Sequence, residues 1–352
     1  MTSKIFHSLP SFSKEEERAC ARVLKSHYIA SGPENKKLVN SLCKRYKRKH
    51  AVLVSSGAAA LFLALNILKK KHQNVILPSY VCSALLNSVL QSGLKPKVVD
   101  TPLDGIFAGN KKENIGFKFN VEKDLLIYPQ MFGIIKNITF PSSLKVIEDC
   151  AMSLGSNSLR QGDISIMSMY ATKMMTSGQG GALLMDNSDA YEECLDLLNY
   201  DNRDSYRLRY NYSLSDLSAA VANVQLKKLP SFIEKRKKLC VAYDKEFLKK
   251  MPNLLVSKKG FMQKYKKDAP FRYWVHVSNV EACIDYMASN GIEAKRPVYQ
   301  PLHRYLNLKD KDYPNAVKSF NRILSLPLYP DLKVNQIKQI VDSLTKVAKP
   351  YQ

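Results

Sequence analysis

Long apolar runs are missing from this 352-residue sequence. No stretch approaches the length that crosses a bilayer, and the start of the chain, MTSKIFHSLP, lacks the apolar core of a signal peptide. Both absences argue against an integral membrane protein and against a secreted one. We therefore expect no membrane partner.

Cysteine and histidine lack the spacings of disulfide frameworks and metal sites. The seven cysteines are odd in number and contain no CxxC pair, so we expect free thiols and a cytoplasmic location, where the environment is reducing. The six histidines show no HxxxH or similar arrangement, so we expect no metal.

Acidic residues are too few to balance the basic ones. The chain has 31 Asp and Glu against 54 Lys and Arg, a net charge of +23, and the basic residues come in bursts such as Lys47-Arg48-Lys49 and Lys69-Lys70-Lys71. A surface this basic can bind nucleic acids, membrane surfaces or polyanionic substrates. The simpler interpretation is that the basic residues lie on solvated helix faces. Because no motif combines aromatic and basic residues as nucleic-acid binders do, we expect no nucleic-acid partner.

Strand-like runs alternate with helical ones through the first half of the chain. With 45% hydrophobic and 24% charged residues, the chain has an ordinary globular composition and is long enough for a large domain and a smaller one. Seven runs indicate strands, near 51–55, 75–78, 97–100, 124–128, 145–148, 164–168 and 182–185. This alternation predicts an α/β fold with a mainly parallel sheet covered by helices on both faces.

Pro230 marks the predicted domain boundary. A helix over Leu217–Leu226 precedes it, and a long charged helix over 232–250 follows. The clearest strand beyond it is Phe271–Val277, and the last helix covers 335–347. We expect a large domain over 1–231 and a smaller C-terminal α/β domain over 232–352.

The segment 144–181 organises the predicted site. A buried strand ends at Asp149, Lys173 lies just beyond the next strand, and a glycine cluster follows. The two side chains should face each other across the carboxyl edge of the sheet, where ligands bind in open α/β sheets. Pyridoxal 5′-phosphate requires such a pair, a lysine that forms the Schiff base and an aspartate that partners the pyridinium nitrogen. For each residue taken alone there is an alternative interpretation. Lys173 is then a solvated surface charge, and Asp149 is a turn or helix-cap residue.

The step from strand to helix at Ser56-Gly57-Ala58 is a candidate anion site. Backbone N–H groups and the positive end of the helix dipole are free there. A simple packing glycine between a strand and a helix is the alternative.

Together these stretches resemble the DegT/DnrJ/EryC1/StrS sugar aminotransferases, which have fold type I among pyridoxal-phosphate enzymes. The resemblance extends from about Tyr28 to Pro330, and its most specific part is Gly162 to Lys173 with Gly178-Gln179-Gly180-Gly181. It implies a large domain with a seven-stranded mainly parallel sheet, a smaller C-terminal α/β domain, pyridoxal 5′-phosphate and a homodimer with shared active sites. It also implies transfer of an amino group from glutamate or glutamine to a nucleotide-linked keto sugar, in amino-sugar and surface-glycan biosynthesis.

The resemblance also implies roles for individual residues. Lys173 and Asp149 carry the catalysis, and Asn211 reaches the cofactor phosphate of the neighbouring subunit. The phosphate of the same subunit is bound by Ser56, Gly57, Ala58 and Ser168, although Ala58 stands where the family usually has Thr.

Several positions depart from the family pattern. Met152 replaces the usual Gln or His at the cofactor's phenolic oxygen, and Gln130 lies near a frequent His. Val81-Cys82 replaces a Thr-aromatic pair, so the ring that stacks on the cofactor either comes from elsewhere, with Tyr80 as the candidate, or is absent. Gln130 and His303 are the predicted substrate contacts, and a surface or core histidine is the alternative interpretation of His303.

Two other functions compete with the sugar aminotransferase. One is an enzyme of the same fold and cofactor that acts on another ketone, such as a keto-cyclitol. The other is a non-catalytic member that binds nucleic acid through its basic surface. The intact pair of Asp149 and Lys173 argues against the latter, because a binding protein needs no lysine opposite a carboxylate.

Overall fold

A seven-stranded sheet forms the centre of the computed structural model, which describes residues 4–100, 118–134, 138–155, 161–264, 266 and 268–350. Its strands lie in the order β1-β7-β6-β5-β4-β2-β3. Their bounds are β1 His50–Val54, β2 Asn74–Pro78, β3 Lys95–Val99, β4 Asp124–Pro129, β5 Lys145–Asp149, β6 Ile164–Ser168 and β7 Gly181–Met185. The seven predicted runs and the mainly parallel sheet are thereby confirmed.

Only β7 runs against the other strands of this sheet. It pairs antiparallel with β1 and with β6, and the pairs β2–β3, β2–β4, β4–β5 and β5–β6 are parallel. The carboxyl ends of six strands therefore meet at one edge, where β7 begins. Strands β4, β6 and β7 are buried along their whole length, as parallel sheets covered on both faces require.

Helices cover both faces of this sheet. The first six are α1 Lys14–Ser26, α2 Pro33–Tyr46, α3 Gly57–Lys69, α4 Ser83–Gln91, α5 Ser188–Leu198 and α6 Asp216–Lys250. Alternate residues of the strands point to opposite faces. Val52 and Leu183 thus join the core formed with α3, whereas Leu53 and Leu184 join the one formed with α2 and α6.

The C-terminal part is a smaller α/β unit. It contains α7 Phe261–Lys264, α8 Val280–Ser289, α9 Leu302–Tyr305, α10 Pro314–Arg322, α11 Val334–Thr345 and the antiparallel pair β8 Tyr273–His276 and β9 Ile323–Leu326. Within the described ranges, no helix combines the length and the apolar character needed to cross a membrane.

The prediction of two helices separated at Pro230 was wrong. Helix α6 is 35 residues long and continues through Pro230 without a break. A proline inside a helix removes one hydrogen bond and crowds the preceding turn. Burial of Leu226, Leu229 and Ile233 on one side of α6 offsets that cost. The domain boundary at residue 231 stays a prediction, and it falls inside this helix.

Candidate active site

A cavity of about 390 Å³ opens at the carboxyl edge of the large sheet. Its apolar wall includes Leu61, Val81 and Ile166. Eight of the residues predicted from the sequence line it, namely Ser56, Gly57, Ala58, Gln130, Asp149, Met152, Ser168 and Lys173. Strands β1, β4, β5 and β6 bring these residues together although they are up to 117 positions apart in the sequence.

The start of α3 forms one end of the cavity. Ser56 caps the helix, since its side-chain Oγ accepts a hydrogen bond from the backbone N–H of Ala59 at 3.0 Å. Gly57 and Ala58 follow as the first two helical residues, whose N–H groups have no acceptor inside a helix. Together with the positive end of the helix dipole, these N–H groups make this end of the cavity suited to an anion.

Gly57 allows the β1–α3 turn to touch the end of β6. A Cβ atom at position 57 would lie 2.7 Å from the Cβ of Ser168, a distance that side chains do not tolerate. The absence of a side chain at Gly57 therefore lets Ser168 approach the helix end. The hydroxyl of Ser168 and the first N–H groups of α3 thus share one small region.

Asp149 and Lys173 interact electrostatically in the cavity. Asp149 ends β5 and is 8% exposed, and its Oδ1 accepts a hydrogen bond from the backbone N–H of Ala151 at 3.0 Å. Burial raises the pKa of Asp149, while that hydrogen bond and the charge of Lys173 act against the rise. Burial lowers the pKa of Lys173, and Asp149 opposes that shift. The amine therefore loses its proton more readily than an exposed lysine does.

Hydrogen bonds within the segment after β6 position Lys173. The backbone N–H of Lys173 donates to the carbonyl of Tyr170 at 2.9 Å, and that of Ser177 donates to the carbonyl of Met169 at 2.9 Å. The Nζ atom of Lys173 lies 5.5 Å from the centre of the Phe271 ring, within range of a cation–π interaction.

Sequence reasoning missed Phe271 and Arg272 beside Lys173. They precede β8, about 100 residues after Lys173, and the backbone N–H of Phe271 donates to the carbonyl of Phe132 at 3.0 Å. Arg272 lowers the pKa of Lys173 further. Spacing along the chain carries no signal for this contact, because it depends on how the C-terminal unit packs on the sheet.

Tyr80 does not line the cavity, contrary to the expectation that its ring stacks on a cofactor. A tight turn in which the N–H of Val81 donates to the carbonyl of Ser79 at 3.1 Å directs Tyr80 into the main hydrophobic core, where it is fully buried. Val81 and Cys82 line the cavity instead.

His303 is also absent from the cavity wall. It is fully buried, with Nδ1 2.6 Å from Oγ of Ser79, Nε2 2.8 Å from Oδ1 of Asp310, and its ring stacked on Tyr313 at 4.4 Å. These contacts tie the turn after β2 to the C-terminal unit. His303 thus lies behind the cavity wall, and its role as a substrate contact stays a prediction.

Asn211 is exposed and does not line this cavity. Its neighbours Tyr210 and Tyr212 stack on each other at 5.3 Å and pack edge-on against Phe62 of α3. A role for Asn211 in the site of a second subunit stays a prediction.

Gln130 is fixed by a buried carboxylate behind the cavity. Its Nε2 donates to Oε1 of Glu148 at 2.6 Å, and Ser153 donates to its Oε1. Ser165 donates to the other oxygen of Glu148 at 2.7 Å. Burial raises the pKa of Glu148 to about 7, although Ser165 and Arg48 oppose the shift.

Glu148 should make the stability of the protein depend on pH. Its pKa rises from 4.5 in the unfolded chain to about 7 in the fold, so the folded state binds more protons between these values and stability falls as pH rises through this window. The expected loss is about 3 kcal/mol of unfolding free energy. Glu148→Gln keeps the shape and removes the titration. Urea unfolding at pH 5 and pH 8 should show a smaller decrease in the variant, and an equal decrease would refute the assignment.

A family model and characterised relatives match most of the chain. The model described as the DegT/DnrJ/EryC1/StrS aminotransferase family matches residues 10–108 and 128–345. A UDP-4-amino-4,6-dideoxy-N-acetyl-beta-L-altrosamine transaminase from Campylobacter jejuni is 26% identical, over 94% of this chain and 95% of its own. A GDP-perosamine synthase from Escherichia coli O157:H7 is 27% identical, over 96% of both chains.

Solved structures share the fold. PseC of Helicobacter pylori, an aminotransferase involved in the biosynthesis of pseudoaminic acid, superimposes with a TM-score of 0.84 at 22% identity, covering 98% of this chain and 99% of its own. DesI, solved in the presence of its TDP-sugar product, gives a TM-score of 0.84 at 18% identity, over 98% of this chain and 93% of its own.

Proposed function

The chain belongs to the DegT/DnrJ/EryC1/StrS aminotransferase family, and we propose that it moves an amino group from glutamate or glutamine to a keto sugar carried on a nucleotide diphosphate. The cofactor would be pyridoxal 5′-phosphate and the process amino-sugar and surface-glycan biosynthesis. The observation that carries the proposal is a cavity in which Lys173 and Asp149 interact beside the start of α3. The activities of the named relatives support the choice of a nucleotide sugar.

The residues of the cavity fit this cofactor. A phosphate would bind to the N–H groups at the start of α3 and to the hydroxyl of Ser168, in the region that a side chain at Gly57 would fill. The buried carboxylate of Asp149 suits a protonated ring nitrogen. The amine of Lys173, whose pKa is lowered, suits a covalent bond to an aldehyde.

Lys173 and Asp149 have separate tasks in the proposed reaction. When bound, the cofactor supplies an electron sink that stabilises negative charge on the substrate carbon. The Nζ atom of Lys173 would take a proton from the donor carbon that loses its amine, and would later deliver a proton to the carbon of the keto sugar that gains the amine. The carboxylate of Asp149 holds the proton on the ring nitrogen. The apolar wall of Leu61, Val81 and Ile166 excludes water and strengthens both electrostatic interactions.

We propose that the active enzyme is a homodimer in which Asn211 reaches the phosphate of the partner's site. Three large apolar side chains exposed within residues 200–208, shortly before Asn211, support this assembly, because exposed apolar groups that cluster mark interaction sites. Tyr206 is 97% exposed and Leu208 is 66% exposed, and Tyr200 is also exposed. We propose a cytoplasmic location, which suits the seven free thiols.

Ala58→Thr should strengthen cofactor binding. A hydroxyl at the second position of α3 adds one donor at the predicted phosphate site, and one such hydrogen bond to a charged group improves affinity about 10-fold. Ala58→Val, which has the same shape without the hydroxyl, is the matched control. Titration of the visible absorbance with pyridoxal phosphate measures both. Equal affinities for Thr and Val would contradict a phosphate at this position.

Stepwise conversion tests the function itself. The purified protein, loaded with pyridoxal phosphate, is mixed with glutamate or with glutamine, and the keto acid released is measured. UDP- and GDP-linked keto sugars are then added, and the aminated sugar is detected by mass spectrometry. Release of keto acid followed by amination of one sugar is the expected result. Keto acid release with no sugar accepted would support an aminotransferase for another ketone.

A further inference from the structure

A second pocket lies on the C-terminal unit, lined by the start of α8 and by one side of α10. Its volume is about 800 Å³, within the range of roughly 300–1,000 Å³ that small-molecule sites have. It shares no lining residue with the cavity that contains Lys173. We call it the basic pocket, because four cationic side chains line it, namely Arg296, Lys311, Lys318 and Arg322.

One carboxylate also lines the basic pocket, but its charge is already engaged. In the described part of the chain, Asp310 is the only acidic residue of the lining. Its two oxygens accept hydrogen bonds from Arg304 at 3.0 and 2.7 Å, and its Oδ1 lies 2.8 Å from Nε2 of His303. The hydrogen bonds from Arg304 and His303 lower the pKa of Asp310 to about 2. Asp310 therefore leaves the cations of the pocket uncompensated.

Arg296 forms a fixed part of the wall. The Cζ atom of its guanidinium lies 4.2 Å from the centre of the Phe320 ring, and its Nη1 donates to the carbonyl of Phe320. Its Nη2 pairs with Glu281 of α8. These contacts hold the guanidinium in place and compensate most of its charge. The excess positive charge of the pocket must come from its other cations.

Lys311 and Lys318 supply that excess charge. Lys318 is half-buried on α10, and Lys311 is exposed just before this helix. Neither lysine forms an ion pair with any residue that the structure describes. Arg322, four residues after Lys318, adds a third cation on the same side of α10. A concave surface lined by charges of one sign concentrates counter-ions, so the basic pocket is suited to an anion.

The rest of the lining indicates which anion fits. Lysine binds phosphate as a point charge, and two neighbouring cations on one helix face match two linked phosphate groups. Ser278 and Asn321 add neutral hydrogen-bond donors, and Val280 and Val317 add aliphatic surface. Among the described lining residues there is no aromatic ring on which a nucleobase could stack. The pocket therefore matches charged phosphate groups better than it matches a base.

We propose that the basic pocket binds the diphosphate group of a small molecule, at a site separate from the catalytic cavity. The inference goes beyond the proposed function and does not require it. A diphosphate can come from free pyrophosphate or from a nucleotide. Both sources present the same phosphate oxygens to Lys311 and Lys318.

Protection from acetylation tests the position of the site. The full chain is treated with acetic anhydride at about 0.15 M salt, with and without pyrophosphate, and each lysine is followed by peptide mass mapping. At a pyrophosphate concentration ten times its dissociation constant, Lys311 and Lys318 should react about 10-fold more slowly, because only the free pocket reacts. Lys70 and Lys71, exposed just after α3, should react at an unchanged rate. No protection, or equal protection of these control lysines, would overturn the proposal.

A double variant tests the contribution of the two lysines to binding. Calorimetry on the protein loaded with pyridoxal phosphate should show that Lys311→Gln with Lys318→Gln binds pyrophosphate about 10- to 100-fold more weakly. Lys70→Gln with Lys71→Gln removes the same net charge and should leave the affinity unchanged. Unchanged affinity in the first double variant would contradict the site. Lys311→Gln alone, at an exposed position, gives the same test with a smaller effect if the double variant does not fold.

Titrations with UDP distinguish the two sources of the diphosphate. Equal affinities for UDP and pyrophosphate, both lowered in the Lys311 and Lys318 double variant, would show that the diphosphate alone is recognised. Tighter binding of UDP, also lowered in that variant, would support a nucleotide as the ligand. UDP binding that survives both substitutions, with no binding of pyrophosphate, would overturn the proposal.

Discussion

Replacing Lys173 with alanine should lower the turnover of the amino transfer by about 10⁴-fold or more. The substitution removes the amine that we propose bonds to the cofactor aldehyde and carries the proton. No other lysine lines the cavity in the part of the chain that the structure describes, so no neighbour can replace it. Rapid mixing of the loaded protein with glutamate measures the step directly, and retention of one tenth of the rate would contradict this role.

Lys173→Arg separates the charge from the proton transfer. Arginine keeps the positive charge opposite Asp149 but cannot lose its proton in a protein. The Lys173→Arg variant should therefore lose as much activity as Lys173→Ala. Lys44→Ala, on the exposed side of α2, is the control for removing a lysine outside the cavity, and it should keep full activity. Thermal unfolding of all three variants checks that the fold is preserved.

Replacing Asp149 with asparagine should have the second largest effect, a decrease of about 10²- to 10³-fold. Asparagine has the same shape, and its carbonyl oxygen can still accept the hydrogen bond from Ala151. It carries no charge, so it cannot hold a proton on the ring nitrogen. The electron sink becomes weaker while the cavity keeps its form.

Turnover and cofactor affinity measured together distinguish this effect from a packing defect. Asp149→Asn should lower turnover much more than the affinity for pyridoxal phosphate, since the proposed phosphate contacts at the start of α3 are unchanged. Asp189→Asn, in the exposed first turn of α5, is the matched control and should behave like the unaltered protein. Full turnover in Asp149→Asn would show that the carboxylate does not act on the cofactor ring.

The sheet could be predicted from the sequence because its signal is local. Most of the seven strands are short runs dominated by apolar residues, and burial on both faces leaves that pattern intact, whereas β3 has the sequence KPKVV and is only partly buried. Asp149 is the last residue of β5 and Lys173 lies shortly after the end of β6, so predicting that these two strands are adjacent also predicts that the two side chains are close. The candidate anion site at Ser56-Gly57-Ala58 could be predicted because a strand runs directly into a helix there.

Packing between distant segments could not be predicted in the same way. Pro230 has the local signal of a helix end, and only the burial of α6 on the sheet overrides it. His303 has the chemistry of a substrate contact, but its partner Ser79 is 224 residues away and holds it behind the cavity. Arg272 has no motif, and its position beside Lys173 depends on the C-terminal unit.

Reduction of the loaded protein with borohydride, followed by peptide mass mapping, tests whether the cofactor is bound covalently to Lys173. Borohydride fixes a lysine–pyridoxal linkage as a stable adduct, so the modified residue can be identified among all lysines of the chain. We expect a single adduct, on the peptide that contains Lys173, and no adduct in Lys173→Ala. No adduct, or one distributed over surface lysines, would contradict a cofactor site in this cavity.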